Sequence, residues 1–219
     1  MSLKDLARAY YSAVNAYDAE AIERMVDEGY IQHNPRVPTG RAAFVGFLPR
    51  LREAGSKIHN VRMLEDGQHV IMHHRWENAQ PFGHARSAAF HIIRFDSNSK
   101  IAEHWNVMVA DPRGSHTDGS TDIEDLERTE SNRAQVAEFI ATLIRMSGRS
   151  VDDWRYRKLH RVFAEGNFAL AVSEADHHGA ATAVYDLFRL EAGRIAEHWR
   201  IAQPIPSENL ANDNTMFGF

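Results

Sequence analysis

The sequence predicts an α+β chain made of two related units, and three observations carry that expectation. The block Ile101-Ala102-Glu103-His104-Trp105 returns as Ile195-Ala196-Glu197-His198-Trp199. Further matches precede both copies in the same order. Phe90-His91-Ile92-Ile93-Arg94-Phe95 answers Tyr185-Asp186-Leu187-Phe188-Arg189-Leu190, Leu64-Glu65-Asp66-Gly67 answers Phe163-Ala164-Glu165-Gly166, and Arg41-Ala42-Ala43-Phe44 answers Arg133-Ala134-Gln135-Val136. An ordered series of matches marks an internal duplication rather than chance. Finally, each unit reads as a helical pattern followed by a succession of β-rich runs with short connections, which implies antiparallel pairing.

Each element has a local reason. Residues 3–15 place Leu6, Tyr10 and Val14 on one side of a helix, and Asp18 is suited to N-cap a second helix running to Val26. Residues 42–52 bring Phe44, Phe47, Leu48 and Leu51 together at helical spacing, and Val136, Phe139, Ile140, Leu143 and Ile144 do the same in the second unit. These two helices are expected to stop at Gly55 and Gly148. Strands are expected at 57–64, 69–76, 86–95 and 100–109, separated by Asp-Gly, Pro-Phe-Gly and Ser-Asn-Ser breaks. The expected division is a complete unit over 1–110, an acidic, turn-rich and mobile linker over 111–130, and a second unit with the C-terminal tail over 131–219 that lacks the two N-terminal helices.

Composition narrows the function classes. The chain has 219 residues, 43% apolar and 25% charged, which suffices for a buried core. Cysteine is absent, which excludes a disulfide scaffold, a thiolate metal site and a cysteine nucleophile. The net charge of -5, without a basic stripe, argues against a nucleic-acid partner. Charges at Lys4, Asp5 and Arg8 leave no apolar run for a signal peptide, and no stretch approaches a membrane span, so a cytoplasmic location is expected. The 13 histidines direct attention to where each one sits.

Tyr30-Ile31-Gln32-His33-Asn34-Pro35, Gly40-Arg41, Asp186-Leu187-Phe188-Arg189-Leu190, the two Glu-His-Trp blocks and the tail Ala211-Asn212-Asp213-Asn214-Thr215-Met216-Phe217 resemble SnoaL-like proteins of the nuclear transport factor 2-like superfamily. The resemblance covers most of the chain as two copies, the second shortened at its start. It implies cone-like units, each a curved antiparallel sheet wrapped on helices around a pocket. Members include polyketide cyclases that close rings by intramolecular aldol chemistry without metal or cofactor. Relatives are isomerases, dehydratases, epoxide hydrolases or binding modules. The family's acid–base Asp is matched by Asp186, whereas the first unit has His91 there. Where members often carry Asp after Glu-His-Trp, this chain has Asn106 and Arg200.

Strand alternation assigns faces to the candidates. Ile101, Glu103, Trp105, Val107 and Val109 share one face, mostly large and apolar; Ala102, His104, Asn106 and Met108 share the other, as a cavity lining would. By the same logic His198 and Arg200 fall on the cavity side of the second unit. His69, Ile71, His73 and Arg75 share a face that either meets solvent or lines a polar pocket, and the resemblance singles out His73. It also places His33, with Tyr30 beside it, at the pocket mouth. Asp186, next to apolar Val184 and Phe188 in alternation, is either a base with a raised pKa or an ion-pair partner of Arg200 or His198. His91 needs no tuning to act as a base, its ordinary pKa being about 6.5.

The candidate catalytic residues are therefore His73, His91, His104 and Asp186, and the candidate substrate-binding residues are His33, Tyr30, Asn106, His198 and Arg200. His73, His91 and His104 on successive strands also suggest an open three-imidazole zinc site. No ligand-spaced motif accompanies it, and no metal or cofactor is expected. Two function classes stay open. One is a small-molecule enzyme moving a proton at carbon next to a carbonyl, in aldol closure, isomerisation, dehydration or hydrolysis. The other is a non-catalytic module that binds a small apolar carbonyl compound or serves assembly. The duplication implies an intrachain pseudo-dimer packed sheet to sheet through Trp105 and Trp199, with a homodimer as the further option.

Overall fold

The computed structural model describes residues 1–146 and 153–219, so the expected stop at Gly148 lies outside the described residues. The chain divides into two compact units: Met1–Asp118 with Pro206–Gly218, and Gly119–Ile205 with Phe219. Both are mixed α+β, with a sheet packed on helices. No helix among the described residues is long and apolar enough to cross a membrane.

The first unit opens with α1 (Leu3–Ala16), started by a Ser2–Asp5 capping box that satisfies two otherwise unpaired amides. Its buried residues Ala7, Tyr10, Tyr11 and Val14 follow the helical repeat. Asp18 caps α2 (Ala19–Met25) by accepting from the Ala21 amide, and the chain runs directly into β1 (Val26–Gln32). Next comes α3 (Arg41–Ala54), which buries Leu48 and Leu51 and ends at Gly55 in the left-handed conformation. Strands β2 (Lys57–Asp66), β3 (His69–Glu77), β4 (Arg86–Phe95) and β5 (Ile101–Ala110) then form an antiparallel meander.

The sheet order is β1-β5-β4-β3-β2, with β1 parallel to β5. The expected four strands are present and β1 is an addition. A register shift between Val26 and Ile31 breaks the alternation of β1, which removes the period-2 signal that marks a strand. Register decides which side chains share a face, because directly opposed residues point the same way. Met72, His91 and Asn106 form one row, and Val70, Ile93 and His104 form another. These rows lie on the inner face, where Val70, Met72, Trp76 and Ile93 pack with Tyr10, Tyr11, Leu48 and Leu51 of the helices. His73, Phe90 and Val107 form a row on the opposite face.

In the second unit α4 (Thr129–Arg145) precedes β6 (Trp154–Glu165), β7 (Phe168–His177), β8 (Ala180–Glu191) and β9 (Arg194–Pro204), paired in that order. It is the one α-helix of this unit among the described residues. Val136 and Ile140 pack on Ala169, Ala171, Val184 and Phe188. Corresponding irregularities recur: the register shifts between Arg94 and Phe95 and again between Arg189 and Leu190. The β6–β7 turn needs glycine, since a Cβ on Gly166 (φ +57°) would stand 2.0 Å from the Glu124 carbonyl oxygen.

Two expectations about connections change. The segment read as mobile is tied down on both sides of the division. Arg62 donates to the carbonyls of Thr117 and Asp118, Ser120 donates to Glu197, and the Glu124 amide donates to Asn167 Oδ1. Its polar turns find partners, so composition alone misled. The tail belongs with the first unit: the Ala211 amide donates to the Pro35 carbonyl at 2.7 Å, and Asn212 Nδ2 donates to the carbonyls of Asn34 and Val37 at 2.9 and 2.7 Å.

Candidate functional site

The inner face of the first unit holds a small cavity of about 50 Å³. Helix α1 contributes Tyr10, Tyr11 and Val14, and α3 contributes Phe44, Phe47 and Leu51. The sheet contributes Ile58, Trp76, His91, His104, Asn106 and Met108, with Gln32, Val37 and Phe82 completing the wall. The lining includes no Lys, Arg, Asp or Glu.

A chain of polar side chains runs behind this apolar wall. His91 Nδ1 stands 2.8 Å from His104 Nε2, with the two rings stacked. His104 Nδ1 meets Tyr30 Oη at 2.8 Å and Gln32 Nε2 at 3.1 Å, and Gln32 Oε1 accepts from the Asn34 amide at 2.9 Å. His74, on the same face of β3, packs its ring 4.8 Å from His91 and 4.4 Å from Tyr11, and its Nε2 engages Asn60 Oδ1. Burial disfavours the charged form of these rings and neighbouring imidazoles add to it. His74 and His104 are pushed down to about 3, and His91 well below the ordinary histidine range. All three rings are therefore neutral at physiological pH.

Three residues that line this cavity carry a buried polar atom with no hydrogen-bond partner among the described residues: Tyr11 Oη, Trp76 Nε1 and His91 Nε2; His74 Nδ1, on the ring packed against Tyr11 and His91 but outside the lining, is a fourth. Unpaired buried polar atoms are uncommon and costly, and three on one lining mark a surface built to meet something else.

Residues 7–104, from α1 into β5, match the family model of the SnoaL-like domain. This stretch of the first unit is similar to a SnoaL-like domain. Its solved structural neighbours include TsrD from Streptomyces laurentii, at 15% identity over 48% of this chain and 86% of that one, with a TM-score of 0.41. IdmH, a putative polyketide cyclase from Streptomyces antibioticus, aligns at 16% identity over 49% and 92%, also with a TM-score of 0.41. A putative polyketide cyclase from Bacillus cereus aligns at 18% identity over 47% and 71%, with a TM-score of 0.42. No curated protein matches the chain significantly.

Within the first unit His91, His104 and Asn106 come together on the cavity, and Tyr30 reaches it through His104. His73 does not. It lies on the opposite face, stacked on Phe90 with ring centroids 4.2 Å apart, and its Nδ1 accepts from Arg62 at 3.1 Å. The β3–β4 register pairs Met72 with His91, so even-numbered residues of β3 face inward and His74 takes the place expected of His73. The zinc arrangement of His73, His91 and His104 falls with it, because the three rings do not converge. His33 also leaves the cavity. It stacks on Trp105 at 4.3 Å, with Nε2 on Glu103 at 2.8 Å and Nδ1 on the Thr215 carbonyl at 2.9 Å, and thereby anchors the tail.

Asp186, His198 and Arg200 lie outside the matched residues, in the second unit, and they form a closed group. Asp186 Oδ1 accepts from His198 Nε2 and Arg200 Nε, each at 2.7 Å, and Tyr156 Oη donates to Oδ2. Arg200 Nη2 donates to Tyr156 Oη at 2.8 Å. Burial pushes the Asp186 carboxyl up, but these donors outweigh it and hold the group below its ordinary value. Of the two readings left open by the sequence, the ion pair is the one this geometry contains.

Tyr11, Gln32, His74 and Trp76 were not among the sequence candidates. The signal for His74 is the His73-His74 pair itself, and choosing between the two needs the register. Tyr11 and Trp76 read as core aromatics, and only their unpaired polar atoms separate them from core.

Proposed function

We propose that the first unit binds a small, uncharged, apolar carbonyl compound and turns it over by cofactor-free general acid–base chemistry at the carbon next to the carbonyl. The observation that carries this reading is the presence of three unpaired polar atoms, Tyr11 Oη, Trp76 Nε1 and His91 Nε2, on residues lining an apolar cavity without a formal charge, with the His74 ring packed directly behind them. An indole N–H and a phenol can hold a carbonyl oxygen as it gains charge, and two neutral imidazoles can give and take the proton. A histidine kept neutral by its surroundings polarises a carbonyl as a donor without competing for the proton. Enolisation of this kind is the first step shared by aldol closure, isomerisation and dehydration. The likeness of residues 7–104 to the SnoaL-like domain supports the same reading, since solved neighbours are titled as putative polyketide cyclases.

The second unit is read as a shortened tandem copy. Support comes from the repeated order of one helix and four antiparallel strands, the equivalent register shifts, and the equivalent Arg94–Glu103 and Arg189–Glu197 pairs. Its Asp186 group satisfies itself and takes no part in the proposed chemistry.

The test is exchange of the α-protons of cyclohexanone and 1-tetralone in D2O, followed by NMR alongside thermal shift. A ligand at 100 times its Kd stabilises by about 2.7 kcal/mol, enough for a shift of several degrees. Exchange above the buffer rate is expected, falling about 100-fold or more in His91→Gln. Melting shifts without exchange would instead establish the binding-module alternative, which the apolar wall of Phe44, Phe47, Leu51 and Met108 favours.

A further inference from the structure

We infer that Gln32 and Tyr30 are positioning residues: together they fix the tautomers of His104 and His91, so that His91 presents its Nε2–H as a donor to the occupant of the cavity. The inference deepens the proposed function and rests on reading that cavity as the reactive site.

The direction of the chain starts at the backbone. An amide N–H can only donate, so the 2.9 Å contact from Asn34 N fixes Gln32 Oε1 as the acceptor end of its side chain. The other end, Nε2, then faces Tyr30 Oη at 3.2 Å and His104 Nδ1 at 3.1 Å, and can only donate there. The phenol oxygen takes a hydrogen bond from Gln32, and its own hydrogen points to His104 Nδ1, 2.8 Å away. Both neighbours of His104 Nδ1 are donors, so this nitrogen must be bare, and the neutral ring carries its hydrogen on Nε2. That hydrogen points at His91 Nδ1 at 2.8 Å, which must be bare in turn. The remaining nitrogen of His91, Nε2, therefore carries the hydrogen, and it is the one without a partner among the described residues. The opposite tautomer of either ring sets two donors or two bare nitrogens face to face, forfeiting a buried hydrogen bond.

His74, whose ring packs 4.8 Å from that of His91 without lining the cavity, is fixed in the same form: its Nε2 donates to Asn60 Oδ1 and its Nδ1 is left bare. Gln32 and Tyr30 act through two rings, His104 and His91.

The experiment is long-range 1H–15N correlation NMR on the full chain with 15N-labelled histidine, resonances assigned through single His→Gln variants. Protonated and bare imidazole nitrogens resonate far apart, so the tautomer is read directly. In the native sequence His104 and His91 are both expected as Nε2–H forms, by about tenfold or more, the ratio that one lost buried hydrogen bond sets. In Gln32→Glu the Asn34 amide still holds one carboxylate oxygen and the other accepts from His104 Nδ1. The relay inverts, and His91 Nε2 loses its hydrogen two bonds away from the substitution. A packing role for Gln32 would move peaks without exchanging their type. His91 protonated on Nδ1 in the native sequence, or a folded Gln32→Glu with unchanged tautomers, would overturn the inference. Should Gln32→Glu not fold, Gln32→Met with Tyr30→Phe removes both donors at nearly constant shape, and a mixture of tautomers at His91 is expected in place of inversion. A single unchanged tautomer there overturns it equally. If neither variant folds, the native assignment decides. Turnover has no part in this readout. A locked Nε2–H in a protein that exchanges no ketone removes the proposed function and keeps the positioning role, whereas exchange with the opposite tautomer does the reverse.

Discussion

Asp186 is fully buried and stays on the charged side of its titration because His198, Arg200 and Tyr156 all donate to it. Replacing it by Asn keeps the shape and removes the charge that Arg200 faces. Breaking a buried pair from one side costs about 3–5 kcal/mol, and the 28% exposure of the Arg200 side chain lowers the expectation to about 2–3 kcal/mol. Urea unfolding of Asp186→Asn against the native chain measures it, and a loss under about 0.5 kcal/mol would show that the group is not held as an ion pair. The residue also shows how far one position can be read from sequence. The pairing with Arg200 follows from the spacing of two strands joined by a short turn, and it was one of two readings available there. Which reading applies depends on Tyr156, which comes from β6 and stands outside the repeat that drew attention to Asp186.

At the scale of elements, the tail and the loop after β1 form one structure. Asn212 and Asn214 donate to carbonyls of Asn34, Val37 and Gln32, His33 meets the Thr215 carbonyl, and Val37 lines the cavity. Asn212→Ala with Asn214→Ala removes four side-chain hydrogen bonds, three to the loop carbonyls and one from the Asn214 amide to Asn212 Oδ1, at about 0.5–1.5 kcal/mol each, partly regained from water. The expected outcome is faster amide exchange over residues 30–39 in hydrogen-exchange mass spectrometry, with weaker binding of any cavity ligand. Unchanged exchange there would mean that the loop is held by its own turns, such as the Val37 amide on the Asn34 carbonyl. The helices were readable because their period is clean, as Ala7, Tyr10, Tyr11 and Val14 in α1 show, and the meander because its β-rich runs are separated by turn residues, although burial of successive residues His104 to Val107 leaves β5 without alternation. Strand β1 was not, because its register shift spoils the period. Nor was the inward choice of His74 over His73. A one-residue slip exchanges the two, and the register of β3 on β4 is set across the 78–85 connection, where Pro-Phe-Gly marks a break but the loop is too long to fix which residues pair.

For the whole molecule, the two units carry titratable groups of opposite acid behaviour. The first buries His73, His74, His91 and His104, all held below the ordinary histidine value, chiefly by burial. A depressed histidine means that the unfolded chain takes up protons below about pH 6.5 that the native unit refuses. Stability is then fully present above that value and falls as pH drops from about 6.5 toward the folded values, by about 1.4 kcal/mol per pH unit for each ring. His74 and His104, held near 3, lose about 2 kcal/mol each by pH 5, and His73 and His91 act in the same direction. Asp186 in the second unit behaves otherwise: a depressed carboxylate contributes above its unfolded value of about 3.9 and is lost only as pH falls below it. His160, the one histidine of that unit with a lowered value, is only partly buried and adds less. Acid should therefore unfold the first unit near pH 5 and the second nearer pH 4. Pulsed hydrogen exchange on samples equilibrated between pH 7 and 3.5 reads each unit separately, with peptides from residues 1–118 and 206–218 expected to lose protection before those from 119–205. A ligand in the cavity should move only the first transition to lower pH, since the bound state adds stability to the unit that holds it. Coincident transitions, or earlier loss in residues 119–205, would show that the buried histidines do not govern acid stability.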